Sequence, residues 1–170
     1  MDLALLVLRL VVGLLFVGHG AQKLFGVFGG GGLQATAGMF DSIGLQPGWL
    51  HARAAGTAEF LGGALIALGL FTPFAAAALI GVMIAAVLTV HAPNGIWNTN
   101  QGYEFNLVLA AVVFALAGIG AGAWSLDNAF GFHLHGVIWA LAALAAGVIG
   151  GGAAVISGRI SARHEPHPAS

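Results

Sequence analysis

The chain has no cysteine and very little charge. Without cysteine it cannot itself carry a disulfide, an iron–sulfur cluster, a thiolate zinc site or dithiol redox chemistry. No other metal site is expected. Asp, Glu, Lys and Arg together make up 6% of the residues, against about 25% in soluble domains. A 170-residue soluble globule could not cover its surface with so few. The net charge of −1 gives no electrostatic footprint for nucleic acid or for an acidic partner. A basic stretch ahead of the first apolar run is also missing, and that run is longer than the apolar part of a cleavable signal. It therefore reads as a retained first helix.

What is present is apolar. Hydrophobic residues account for 59% of the chain, and the mean hydropathy is +0.96. Crossing the hydrocarbon core takes about 20 apolar residues in a helix. Five stretches approach that length: Leu3–Leu24, Leu50–Phe71, Pro73–His91, Glu104–Ala121 and His135–Ser157. The expected fold is all-α, a polytopic transmembrane helix bundle. No internal repeat stands out. Between the second and third stretches the chain reads Gly69-Leu70-Phe71-Thr72-Pro73. Thr72 suits an N-cap and Pro73 the first helical position, so these two helices are expected to be antiparallel neighbours. The connection Phe25–Trp49 holds Gly29–Gly32 and Pro47-Gly48, with a short interfacial helix expected at Leu33–Ile43. Ala92–Tyr103 is a turn-rich polar loop, and the residues after Arg159 read as a disordered polar tail.

Lys23 and Arg53 flank the first connection, and Arg159 and Arg163 follow the fifth helix. With five spans these four basic residues share one face, which is cytoplasmic by the positive-inside rule. The N-terminus is then outside, and the location is the cell inner membrane. Trp49, Trp97 and Tyr103 mark the cytoplasmic boundary and Trp124 the outer one.

Polar residues in a bilayer are costly and are functional candidates by default. On this topology His19, Gln22, Lys23, His51, Arg53, His91, Glu104 and Asn106 all gather at the cytoplasmic mouth. His19, Gln22 and Lys23 fall at i, i+3 and i+4 and share one helix face. Glu59 lies about 13 Å into the second helix at 1.5 Å per residue. Arg9 is the only deep cation, so a buried Arg9–Glu59 pair is the expected way for both charges to persist. The bland alternatives are that Lys23 and Arg53 are interfacial anchors, that the histidines are structural, and that Gly118/Gly122 and Gly147/Gly151 are chance GxxxG patterns. The glycine run lacks the Lys-Ser/Thr of a phosphate loop.

These residues carry a family resemblance. The run Leu8-Arg9-Leu10 through Gly18-His19-Gly20-Ala21-Gln22-Lys23-Leu24-Phe25-Gly26 resembles the start of DoxX family proteins. Ala58-Glu59-Phe60-Leu61-Gly62-Gly63, the Gly-Leu-Phe-Thr-Pro turn, Asn100-Gln101-Gly102-Tyr103-Glu104 and Ser125-Leu126-Asp127 continue the pattern. The resemblance implies a small, usually four-helix bacterial membrane protein. Its relatives include the quinone-reducing membrane subunit of thiosulfate oxidation and a subunit of a mycobacterial oxidoreductase complex. Residues 1–130 would then form the four-helix domain, 131–158 an added helix and 159–170 a cytoplasmic tail. Arg9, His19, Gln22, Lys23, Glu59 and Glu104 match motif positions.

Three functions compete. The first is a redox subunit binding a quinone at the mouth, with Arg9, His19, Gln22, Lys23 and His91 as ligand-binding residues and Glu59 and Glu104 as proton-relaying, catalytic ones. With no cysteine, its electrons would come from a redox partner protein, a bound cofactor or a soluble donor. The second is a non-catalytic scaffold for a redox complex, and the third a small transporter with Glu59 on its path. A haem between His19 and His91 ranks below these, since it needs facing ring nitrogens and room for a macrocycle. A homo-oligomer is compatible with each reading.

Overall fold

The computed structural model describes residues 1–164. Seven α-helices follow in order: α1 Asp2–Phe25, α2 Gly32–Ser42, α3 Gly48–Leu68, α4 Thr72–Ala86, α5 Glu104–Ile119, the single turn α6 Leu126–Ala129, and α7 Val137–His164. α4 continues through a π-helical segment, Val87–His91, and a 3-10 turn, Ala92–Asn94. The short helix expected at Leu33–Ile43 is α2. α7 runs well past Ser157, so residues 159–164, expected as tail, are helical. The rest of that tail lies outside the described residues.

Of the five spans read from the sequence, three have the length and apolarity to cross a membrane: Asp2–Phe25, Thr72–Asn94 and Val137–Arg163. α3 has 21 residues, but His51, Arg53, Thr57, Glu59 and several glycines dilute its apolar character. α5 is apolar and shorter, with 16 residues, about 24 Å of helix.

α1 and α3 are antiparallel and pack backbone against backbone. A Cβ on Gly13 would collide with Gly63 and Ala67, and one on Gly20 with Gly56 and Phe60. Small residues let membrane helices approach this closely. α4 and α5 are antiparallel, and α7 runs parallel to α4. Gly147 and Gly151 press on Ile80 and Gly81, so this GxxxG pair is a true packing face. Gly118 and Gly122 are not such a face, because Gly122 sits in the following loop with φ +81.

Phe16, Ile66, Leu79, Ile80, Val113 and Leu116 fill the core. Large apolar side chains such as Leu14, Leu61, Phe74, Val108 and Ile149 cover the outside, as expected for a surface facing lipid. The bundle has two unlike ends. The ends of α1, α4 and α7 and the starts of α3 and α5 form an open mouth. The opposite end is closed by the loop joining α5 to α7.

Candidate functional site

The closed end is held by Asp127. Its Oδ1 accepts from Phe71 N at 2.7 Å, and its Oδ2 accepts from Thr72 N at 3.1 Å and Thr72 Oγ1 at 2.7 Å. The N-terminal cap of α4 is therefore supplied by a residue 55 positions away, not by Thr72 as the local sequence suggested. Phe71, at the cap position, takes φ 49. Asp127 N donates to Gly69 O at 2.8 Å, which ties the same loop to the end of α3.

Arg9 belongs to this end. It is 1% exposed, donates through Nη2 to Trp124 O at 2.6 Å, and lies close enough to Asp127 for the two charges to interact. Its Nε and Nη1 have no hydrogen-bond partner among the described residues. The expected Arg9–Glu59 pair does not form. The antiparallel register sets Arg9 beside Gly69, ten residues from Glu59 and about 15 Å along the α3 axis. Arg9 is thus separated from the mouth residues with which the sequence grouped it.

Glu59 pairs instead with Lys23. Lys23 Nζ donates to Glu59 Oε2 at 2.5 Å, the one ion pair among the described residues. The glutamate side chain is 3% exposed and the lysine 24%. The register explains the pairing, since the open face of Gly56 receives Lys23 and Leu24. Lys23 is therefore not a simple interfacial anchor. Arg53 is one: it is exposed and its guanidinium lies 5.3 Å from the Trp49 ring centre, a cation–π contact suited to the headgroup region.

Above this pair opens a cavity of about 650 Å³ between the α1–α3 half and the α4–α5–α7 half, within the ordinary range for a small-molecule site. His19, Lys23, His51, Glu59, His91 and Asn106 reach it from four helical segments: α1, α3, the π-helical end of α4, and α5. Most other wall residues are Ala, Gly and Val; their small side chains are what leaves the space. His19 also stacks edge-on against Phe105, with centroids 6.0 Å apart, and so bridges the halves. Asn106 is buried and donates to Met83 Sδ at 3.5 Å. His91 lies at the end of the π-helical segment, a distortion frequent at functional sites, and its Nδ1 is 2.7 Å from Gln101 O.

Two further mouth residues brace the rim rather than line the cavity. Gln22 Nε2 donates to Phe28 O at 3.0 Å, and its Oε1 lies 3.3 Å from His19 Nδ1. Glu104 Oε2 accepts from Asn98 N at 3.0 Å and fixes the Gly95–Gly102 loop. The sequence placed His51 and Asn106 at the mouth without choosing them as site residues. The signal that could have singled out Asn106 is its amide in the first turn of an otherwise apolar helix, where burial demands a partner.

The profile described as DoxX matches residues 4–92, a little over half of the chain. Over 131 residues, 71% of this chain and 77% of the other, it is 29% identical to "Uncharacterized membrane protein Rv3486" of Mycobacterium tuberculosis. Over 117 residues, 69% of this chain and 81% of the other, it is 29% identical to "Putative oxidoreductase CatD" of Bacillus subtilis. No solved structure matches it. Helical architecture, apolar exterior and profile match agree, and the chain belongs to the DoxX family of membrane proteins.

Proposed function

We propose that this protein is the membrane subunit of a redox system and that it holds a quinone in the mouth cavity. The observation that carries this reading is the cavity's composition: an apolar chamber of about 650 Å³ with a few polar side chains converging from different helices. A quinone ring needs apolar walls and hydrogen-bond donors for its two carbonyl oxygens. Lys23, His19 and the Asn106 amide are donors of that kind. Reduction to the quinol takes two electrons and two protons. The chain has no cysteine to pass electrons, so they come from outside it: a partner redox protein, a bound cofactor or a soluble donor. The protons enter at the mouth, with the Lys23–Glu59 pair as the nearest exchangeable group. A relative named as an oxidoreductase supports the redox assignment.

The test is retention of quinone by His19→Ala and Lys23→Ala variants that still insert and express. Both should lose most of the bound quinone. Retention at the wild-type level in both would leave the scaffold reading in its place.

The mouth is assigned to the cytoplasmic side of the inner membrane, because Lys23, Arg53, Arg159 and Arg163 lie toward that end. Reporter fusions in the Gly29–Gly32 loop and after Arg163 should both report cytoplasm. A periplasmic signal from either would reverse or break this topology.

A further inference from the structure

The cavity opens a second time, through the flank of the bundle. Ala54 of α3, Ala78 of α4, and Ala146 and Gly150 of α7 line it and are exposed. None of them sits in the first or last turn of its helix. Ala78, Ala146 and Gly150 lie within the apolar spans Thr72–Asn94 and Val137–Arg163, whereas Ala54, next to Arg53, marks the end of the opening nearest the headgroups. It exists because α3 and α7 barely meet; each packs on α4, which floors the gap. On α7 the slot is edged by Ala146, Gly150 and Ala154. They recur every fourth residue and span about 12 Å at 1.5 Å per residue. The other outward positions mix sizes: Leu144, Val148 and Ile149 are exposed, and so are Ala142, Ala145 and Ala153.

Two glycines of α7, Gly150 and Gly152, have open space where a Cβ would stand, and of the two Gly150 lines the cavity. Gly147 and Gly151 are glycine because α4 leaves no room for a Cβ, whereas a Cβ on Gly150 would meet nothing within 4 Å. A glycine inside a helix costs about 1 kcal/mol relative to alanine, and packing within the chain does not account for this one. Its effect is to keep the slot open. The cavity thus has a polar end, at Lys23, Glu59, His19 and Asn106, and an apolar slot leading from it to the lipid.

We infer that the slot holds the apolar tail of the ligand, so that the site takes a long-tailed quinone sideways from the bilayer. This rests on the quinone reading above. The ring occupies the polar end, and the tail leaves between α3 and α7.

The test compares two probes on the full-length protein in lipid nanodiscs: a benzoquinone with a long isoprenoid tail, and the same ring without the tail. Wild type and Ile149→Phe, which adds bulk on the lipid side of α7, should bind the tailed probe roughly tenfold or more tightly than the bare ring. Gly150→Phe should lose that preference, its affinity for the tailed probe falling to its affinity for the bare ring. Gly150→Val should lose it in part and serves if the Phe variant does not fold. Equal affinity of wild type for the two probes, or an undiminished preference in the Gly150 variants, would overturn the slot and leave the quinone reading standing. Binding of neither probe by wild type would remove both.

Discussion

Lys23→Met is expected to destabilise the bundle by about 3 kcal/mol, because it leaves Glu59 buried without its cation. The glutamate is 3% exposed, and among the described residues no other Lys or Arg side chain is hydrogen-bonded to it. The lysine is 24% exposed at the cavity edge, which holds the expected loss toward the lower end of what breaking a fully buried pair costs. Replacing both partners by apolar residues of similar size is a different experiment, since no charge is then left unpaired and such exchanges are often neutral or stabilising. Lys23→Met/Glu59→Leu should therefore recover most of the lost stability. It should not recover quinone retention. Thermal unfolding in detergent, read beside quinone content, separates the two effects. If the double variant is as unstable as the single one, the pair is not the source of the loss. If the double variant retains quinone, the pair is structural and plays no part in the site.

Asp127→Ala is expected to be the most damaging single substitution, with a loss of about 4 kcal/mol or more. Three hydrogen bonds end on this carboxylate, two of them from the backbone at the start of α4. Its removal also leaves the Arg9 guanidinium, two of whose nitrogens already lack a partner, without the neighbouring negative charge. Asp127→Asn preserves the shape and one acceptor oxygen and should fall between Ala and wild type. Because this cluster lies at the end opposite the cavity, the folded fraction of Asp127→Asn should hold quinone as wild type does. The check is the yield of monodisperse protein and its melting temperature, followed by quinone content per folded molecule. A stable Asp127→Ala variant would show that the loop and the start of α4 are held by other contacts.

These two clusters show what the sequence could convey. The helices were legible because apolar runs alternate with glycine, proline and asparagine turns; α2 was legible for the same reason. The gathering of polar residues at one end followed from counting spans. The pairing of charges did not. Arg9 and Glu59 were matched by depth alone, but the register of α1 on α3 is set by Gly13, Gly20, Gly56 and Gly63, whose close approach no hydropathy pattern encodes. That register puts Lys23 on Glu59 and Arg9 at the far end. Arg9's charged neighbour, Asp127, lies in a loop 118 positions later in the chain, beyond the reach of any local rule. Lys23 and Arg53 looked alike as basic residues beside one connection. Only the helix faces, one toward Glu59 and one toward Trp49, distinguish them. The Gly147/Gly151 spacing carried a real signal that a glycine-rich chain disguises as chance.

A quinone held in the mouth cavity should come away with the protein purified from its native membrane, and extraction with organic solvent followed by mass spectrometry identifies it. Wild type should release a quinone in near-equimolar amount, and Lys23→Ala should release little or none. Wild-type protein that releases no quinone and takes up none when it is supplied would contradict the quinone reading.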